Sequence, residues 1–142
     1  KVDSLKGVYQ VEDIAFPEAG TREPRRIVTV ISTAYSSDTW QNWGNPCLPY
    51  FESFNLCEQF EENGLEDTIA TNMLAIGTKV RFPDIYGDKV FTVRDKMNKK
   101  YNGQYRVDFY KAELGENGKI DADKSRAEAV TFGAQRLVME IF

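Results

Sequence analysis

The chain has 142 residues, of which 42% are hydrophobic and 28% are charged, a composition typical of one domain with a single hydrophobic core. Its formal net charge of -4 argues against nucleic acid as a partner, because binding to phosphates requires a basic surface. The absence of histidine excludes His-dependent catalytic triads, imidazole metal sites and imidazole general bases, so any catalysis would depend on carboxylates.

Residues 1–26 are interpreted as a linker or accessory segment, because they mix charges with Pro17 and Pro24 and show no strong period. Within them a short strand is predicted at Gly7–Val11. No apolar run in the chain approaches the ~20 residues that span a bilayer, and no signal peptide is present. We therefore expect a domain over residues 27–142, without a membrane span, whose signal or anchor lies upstream of this chain.

Six segments have the pattern of β-strands, with β-branched or aromatic residues and partial alternation of apolar and polar positions. In chain order they are Arg26–Tyr35, Thr68–Thr71, Thr78–Phe82, Lys89–Asp95, Tyr105–Lys111 and Arg136–Phe142. Short strands of this kind, with one helix before the last, predict a mainly β fold that closes into a small barrel. Closure is favoured because it leaves no exposed strand edge.

The stretch between Ser36 and Asp67 has no convincing periodicity and is predicted to form a long irregular flap over the barrel. Its aromatic residues are Trp40, Trp43, Tyr50, Phe51, Phe54 and Phe60. Cys47 and Cys57 lie in the same stretch, ten residues apart. A disulfide between them would contribute up to ~3 kcal/mol and imply an oxidising location, and it is favoured over two unpaired thiols packed as apolar groups.

One helix is predicted at about Lys124–Phe132, before the last strand. Asp123 or Ser125 can cap its first turn, and Gly133 can end it. Its core-facing residues are predicted to be Ala127, Val130 and Ala134. The helix is therefore expected to pack on the sheet through these apolar positions.

Two of the predicted strands deliver an aspartate to the same end of the sheet. Asp95 ends one of them and Asp108 lies within the next, and we predict that the two side chains face one another across a groove. This pair is the strongest candidate for chemistry, because two carboxylates in one site perturb each other's pKa. The alternative is structural: Asp95 caps the following loop, and Asp108 pairs with Arg94, Arg106 or Lys96.

Five segments resemble, in the right order, the three-aspartate (3D) domain. They are Ile31–Tyr35, Ile69–Val80, Val93–Asp95, Arg106–Phe109 and Glu128–Gly133. That family is a double-psi β-barrel, similar to the catalytic barrel of the lytic murein transglycosylase A type and more distantly to expansins. The resemblance covers about Val28 to Phe142. It implies a six-stranded double-psi β-barrel with one short helix and a long aromatic loop.

The resemblance also implies a role for several residues of this chain. Asp108 would be the general acid that protonates the glycosidic oxygen, and Asp95 its neighbour across the groove. Thr33, in the Thr-Ala-Tyr motif, would line the floor beside the acid. Two positions depart from the family pattern: Asn72 stands where the family has its first aspartate, and Lys96 begins a segment that replaces a Gly-Gly turn.

The remaining candidates would contact the substrate. Tyr35, Trp40 and Trp43 either stack on sugar faces or fill the space under the flap. Asn72 can exchange hydrogen bonds with sugar hydroxyls or with Asp95. Lys96 either meets the carboxylates of wall peptides or belongs to a solvated basic loop.

The predicted function is that of a bacterial, secreted or cell-envelope protein that acts on peptidoglycan or another cell-wall glycan as a monomer. As a lytic transglycosylase, a carbon–oxygen lyase, it would need no metal or organic cofactor and a single proton donor, because the C6 hydroxyl of the sugar attacks in place of water. Hydrolases, in contrast, require two carboxylates. The alternatives are a non-catalytic glycan-binding barrel like the expansin modules, in which Asn72 marks lost turnover, and a protein-interaction or inhibitory module whose partner binds the flap.

Overall fold

The computed structural model describes residues 23–37 and 45–142. The strand predicted at Gly7–Val11 and both Trp40 and Trp43 lie outside these residues. The described strands are β1 (Arg26–Tyr35), β2 (Thr68–Ala70), β3 (Lys79–Arg81), β4 (Val90–Asp95), β5 (Arg106–Tyr110) and β6 (Gln135–Ile141). The described helices are α1 (Leu56–Asn63), α2 (Pro83–Tyr86) and α3 (Ala122–Phe132), with a 3-10 turn at Lys99–Tyr101. Within this part of the chain, every helix is too short or too polar to cross a membrane.

The six strands pair in the order β1-β5-β2-β4-β3-β6, and β6 pairs back to β1, so the sheet closes on itself. β1 with β5 and β2 with β4 are parallel pairs, whereas the other four pairs are antiparallel. Parallel neighbours cannot be joined by a tight hairpin, so the chain must cross over between them. The predicted mainly β fold with six strands is confirmed, and each strand lies within two residues of its predicted bounds.

The pairing scheme treats the two halves of the domain alike. Exchanging β1, β2 and β3 with β4, β5 and β6 converts the parallel pair β1/β5 into the parallel pair β4/β2. The same exchange converts the antiparallel pair β1/β6 into β4/β3 and leaves β2/β5 and β3/β6 unchanged. The topology therefore has an internal twofold relation that the sequence does not display as a repeat.

The interior of the closed sheet is centred on three phenylalanines. The ring centroid of Phe82 lies 4.6 Å from that of Phe109 and 5.5 Å from that of Phe91, and Phe91 lies 5.2 Å from Phe109. Such tilted contacts between aromatic rings are favourable beyond the burial of their area. The aliphatic residues around them are Val30, Ile69, Val80, Val93, Val107, Leu137, Met139 and Ile141. Phe109 therefore holds β5, the strand that carries Asp108, against the core.

The helix predicted before the last strand is present, but the prediction of its buried residues is wrong. Ala127 and Ala134 are exposed and Val130 is 70% exposed, whereas Ser125 and Ala129 are buried. The reason is a hydrogen bond: the Ser125 hydroxyl accepts from the backbone N–H of residue 113 at 2.9 Å, which allows a polar side chain to occupy the packed face.

The helix also begins earlier than predicted. Its first residue is Ala122, and its cap is Asp121, whose carboxylate accepts a hydrogen bond from the backbone N–H of Lys124 at 2.9 Å. Asp123 and Ser125, the predicted caps, both lie inside the helix. The helix ends at Phe132 and is capped by Gly133, as predicted.

The aromatic stretch is also more regular than predicted, because it contains α1. Asn55 caps this helix by accepting a hydrogen bond from the backbone N–H of Glu58 at 2.9 Å, and Gly64 ends it with a left-handed φ of 68°. The cap, the acidic residue three positions later and the terminal glycine are a recognisable helix signature. Leu56 buries the helix against Tyr35 and the other residues of a second, smaller core.

Replacing Phe109 by alanine tests the aromatic centre. We expect Phe109→Ala to lower the free energy of unfolding by about 3–5 kcal/mol, because it removes the ring that contacts both Phe82 and Phe91 and leaves a cavity. Urea denaturation followed by tyrosine and tryptophan fluorescence measures the change. Val130→Ala is the control, since its side chain is exposed, and it should change the free energy by less than about 0.5 kcal/mol.

Candidate functional site

A row of four residues crosses four neighbouring strands at one end of the sheet. Thr33 of β1 is paired with Asp108 of β5, Asp108 with Ala70 of β2, and Ala70 with Asp95 of β4. Paired residues on adjacent strands direct their side chains to the same face. The two predicted catalytic carboxylates therefore share one face, separated by a strand on which only the methyl group of Ala70 lies between them.

The position of Asp95 in this row depends on a β-bulge. Ile69 is paired with Val93, and regular pairing would then place Arg94 opposite Ala70. The register shifts by one residue at this point, so Asp95 takes that place instead. Because a β-bulge inserts an extra residue into one strand, it changes the face to which the following side chain points.

Asp108 is a carboxyl group with few compensating partners. Its Oδ1 accepts a hydrogen bond from the Thr33 hydroxyl at 3.0 Å. Burial raises the pKa of Asp108 from its ordinary value of 3.8 to about 6, and the nearby charge of Asp95 acts in the same direction, whereas Thr33 and Arg106 lower it. Asp108 therefore exchanges its proton close to neutral pH.

Asp95 is held by three donors. Its Oδ2 accepts from the Tyr35 hydroxyl at 3.1 Å, and its Oδ1 accepts from the backbone N–H groups of Tyr50 and Lys96, both at 2.9 Å. Burial raises the pKa of Asp95, but all three hydrogen bonds lower it. Burial and the Asp95 charge raise the pKa of Tyr35 well above its ordinary value, so its hydroxyl remains a donor. The two carboxylates thus have different environments, which is the arrangement that separates an acid from an ionised partner.

Both carboxylates line one pocket of about 200 Å³. Its other lining residues are Tyr35, Ala70, Lys96, Met97, Asn98 and Tyr101. Thr33 lies beneath it through its bond to Asp108. The structure therefore brings together Asp95, Asp108, Thr33, Tyr35 and Lys96 from the predicted set.

The side-chain hydrogen bonds of Asn72 go to the loop after β4 and not to either aspartate. Its amide Nδ2 donates to the backbone carbonyl of Asn98 and to Oδ1 of Asn102, both at 3.0 Å, and its Oδ1 accepts from the backbone N–H of Met97 at 2.8 Å. A carboxylate in this position could accept the last bond but could not donate the other two. The amide is therefore suited to the loop of this chain.

The flap reaches the site through its backbone. Cys47 and Cys57 form the predicted disulfide, with Cα atoms 5.2 Å apart, and the backbone N–H of Phe51 donates to the carbonyl of Arg94 at 2.9 Å. These links fix the segment in which the N–H of Tyr50 meets Asp95. Tyr50 was not predicted as a site residue, because a backbone donor carries no signature in the sequence.

The cations near the site do not neutralise the aspartates. Arg94 pairs with Asp67 at 2.7 Å and stacks on Phe54, 3.8 Å from its ring centroid. Arg106 lies over the ring of Tyr101, 4.6 Å from its centroid. Within residues 23–37 and 45–142, neither Asp95 nor Asp108 forms a salt bridge, and Arg106 acts on Asp108 only through its charge, which lowers the pKa of that carboxyl. No three His, Cys, Asp or Glu side chains of this part of the chain are grouped to hold a metal ion.

No family model, curated protein or solved structure matches the chain. The case for a functional site therefore depends on the geometry itself. Two half-buried carboxylates in one pocket, one of which has its pKa raised to about 6, form an arrangement that proton-transfer sites use.

The raised pKa of Asp108 predicts a stability cost that depends on pH. The folded-state pKa of about 6 exceeds the ordinary value of 3.8, so ionising Asp108 destabilises the folded protein. The cost is absent below pH ~4, is complete above pH ~7 and amounts to about 3 kcal/mol at most. We expect the free energy of unfolding of Asp108→Asn to rise relative to wild type across this window in urea titrations.

The matched control for that experiment is Asp84→Asn, since Asp84 is an exposed carboxylate at the start of α2. The difference between this variant and wild type should stay constant from pH 4 to pH 8. A constant difference for Asp108→Asn as well would contradict the raised pKa, and a carbon-13 NMR titration of the Asp108 carboxyl would locate the true value.

Proposed function

We propose that this domain is a double-psi β-barrel of the three-aspartate type that cleaves peptidoglycan as a lytic transglycosylase, with Asp108 as the general acid. The observation that carries the proposal is the environment of Asp108, a half-buried carboxyl with a pKa raised to about 6 in an accessible pocket beside a second carboxylate. A general acid works best when its pKa lies near the operating pH.

The strand topology supports the proposed barrel type. A closed six-stranded sheet with two parallel pairs requires two crossovers, and these are related by exchange of the two halves of the domain. A simple up-and-down barrel has only antiparallel neighbours and would not produce this pairing. Asp95 is the last residue of β4 and Asp108 is the central residue of β5, and each of these strands belongs to one of the two parallel pairs.

The proposed reaction needs one proton donor and no water. Asp108 transfers its proton to the glycosidic oxygen as the bond from that oxygen to C1 breaks. The C6 hydroxyl of the same muramic acid residue then forms a new bond to C1 and returns its proton to the Asp108 carboxylate. The products are a glycan with a free 4-hydroxyl and a 1,6-anhydro end, and the acid is regenerated.

Asp95 has an electrostatic role in this proposal. Its three donors fix it in position and oppose the rise in pKa that burial causes. A fixed negative charge across the pocket stabilises the positive charge that develops at C1, and it disfavours ionisation of Asp108. Asp95 therefore acts through its charge, whereas Asp108 acts through its proton.

The disulfide supports an extracytoplasmic location for this activity. Disulfides persist mainly in oxidising compartments, and the bond between Cys47 and Cys57 holds the flap segment that reaches Asp95. A wall glycan is accessible in the same compartment. Location and substrate are thus mutually consistent in the proposal.

A glycan-binding module without turnover is the second candidate, and Asn72 favours it. The position of the family's first aspartate is here occupied by an amide whose hydrogen bonds are committed to the loop. The pocket then has two carboxylates rather than three. A binding module would retain the groove and its donors but release no product.

The experiment that separates these candidates is mass spectrometry of purified peptidoglycan incubated with the domain. Wild-type protein should release anhydro-muropeptides, and Asp108→Asn should reduce the rate by ~10²–10⁴-fold while binding persists, because an amide keeps the shape but cannot deliver a proton. Asp84→Asn should behave as wild type. Binding without product in the wild-type protein would establish the binding module instead.

The pH profile gives an independent test of the acid. The active form has Asp108 protonated, so the rate should be maximal below a pKa of about 6 and should fall tenfold per pH unit well above it. Thr33→Val removes a hydrogen bond that lowers this pKa, so it should shift the falling limb to higher pH. A profile that does not move in Thr33→Val would exclude Asp108 as the titrating acid.

A further inference from the structure

The segment that follows Asp95 has a charge opposite to that of the whole protein. Residues 96–106 contain Lys96, Lys99, Lys100 and Arg106 and no acidic residue, whereas the chain as a whole has a net charge of -4. A local excess of positive charge in an acidic protein attracts anions to that surface. Residues 96–105 form the loop between the two strands that carry the carboxylates, and Arg106 begins the second of these strands.

Two of these cations line a second pocket that adjoins the first. This pocket has a volume of about 340 Å³ and is lined by Tyr50, Asn72, Lys96, Met97, Lys99 and Asn102. Lys96 and Met97 also line the pocket of the two aspartates. A ligand that occupies the first pocket can therefore extend into the second without leaving the protein surface.

Asn72 gives this basic pocket a defined shape. Its three hydrogen bonds join the backbone at residues 97 and 98 to Asn102, which lies on the far side of the 3-10 turn. The loop is thereby closed on itself, and the turn that carries Lys99 is held beside Lys96. A charge held in place before binding loses less conformational entropy when a ligand arrives.

The two lysines of the pocket are available to a ligand. The Lys96 ammonium group donates to the carbonyl of Leu74 at 3.2 Å, a neutral partner that leaves its charge uncompensated. Among the residues that the structure describes, neither Lys96 nor Lys99 forms a salt bridge. Lys100, in contrast, lies 5.1 Å from the ring centroid of Tyr101 and does not line the pocket.

We propose that the pocket formed by Lys96, Lys99 and the loop clamped by Asn72 binds a carboxylate carried by the glycan substrate. The inference rests on the proposed function, since it assigns the anionic substituent of the same substrate to this second pocket. In a wall glycan that carboxylate has two sources: the peptide attached to the lactyl group, or the lactyl group itself after the peptide is removed.

Three glycans distinguish the sources in a calorimetric binding experiment, carried out with Asp108→Asn so that the ligand stays intact. They are soluble glycan strands with peptides, the same strands after amidase treatment, and a neutral chitin hexasaccharide. We expect tighter binding of a carboxylate-bearing strand than of the neutral oligosaccharide, and the preference should decrease as salt is added. Preference for the intact strand assigns the peptide carboxylate, and preference for the treated strand assigns the lactyl carboxylate.

Variants of the lysines test the pocket directly. Lys99→Gln and Lys96→Gln should each weaken binding of the anionic strand roughly 10- to 150-fold, the factor expected for one hydrogen bond to a charged group. Lys99→Gln should leave chitin binding unchanged, because Lys99 lines only the second pocket. Lys99→Arg should retain the affinity because it keeps the charge. Lys100→Gln is the matched control, with the same change of charge in the same loop but outside the pocket.

The clamp is tested by Asn72→Asp, which keeps one hydrogen bond and loses two. It should weaken anionic binding and increase amide hydrogen exchange in residues 96–102, an effect that a role confined to charge would not produce. Equal binding of anionic and neutral glycans, or equal losses in Lys99→Gln and Lys100→Gln, would overturn the inference.

The outcome is separable from that of the proposed function. If the wild-type protein releases anhydro-muropeptides but the lysine substitutions do not change glycan binding, the proposed enzyme activity is supported and the proposed carboxylate site is excluded. If glycan binding depends on the carboxylate and on Lys96 and Lys99 but no product is released, the carboxylate site is supported and the enzyme activity is excluded. Failure of all three glycans to bind would overturn both.

Discussion

One extra residue in β4 decides which side chain faces the site. Without the bulge beside Ala70, alternation would carry Asp95 to the face of Val93, inside the closed sheet. A carboxylate there would lack the donors that now surround it, at a cost of several kcal/mol. With the bulge, Asp95 joins the row that contains Asp108 and Thr33. The pocket, its electrostatics and its adjoining loop all follow from that register.

The site separates two identical functional groups by their hydrogen bonds. Asp95 accepts from three donors, two of them backbone N–H groups supplied by different loops, whereas the Thr33 hydroxyl is the donor to Asp108. Burial raises the pKa of both, and hydrogen bonds from three donors oppose this effect at Asp95, whereas one hydrogen bond and the charge of Arg106 oppose it at Asp108. The folded protein thereby accepts a destabilising carboxylate above pH ~6, a cost that is characteristic of functional rather than structural positions.

Asn72 determines the shape of the loop that begins at Lys96. Its side-chain amide donates two hydrogen bonds to this loop and accepts one from it. The wall of the pocket is consequently basic and preformed. The disulfide between Cys47 and Cys57 closes the segment that contains Tyr50, whose backbone N–H is the third hydrogen-bond donor to Asp95.

The secondary structure of this domain and its disulfide could be predicted from the sequence. Alternation and β-branched residues depend only on neighbouring positions, so the sequence predicts all six strands. The position of Cys47 and Cys57 in one loop-like stretch favours their pairing over two unpaired thiols, and the structure confirms the disulfide. Strand register is different, because it is set by contacts between segments distant in the chain. Only the tertiary structure could therefore place Ala70 between the two carboxylates, direct the amide of Asn72 to the loop and expose Val130 while burying a serine.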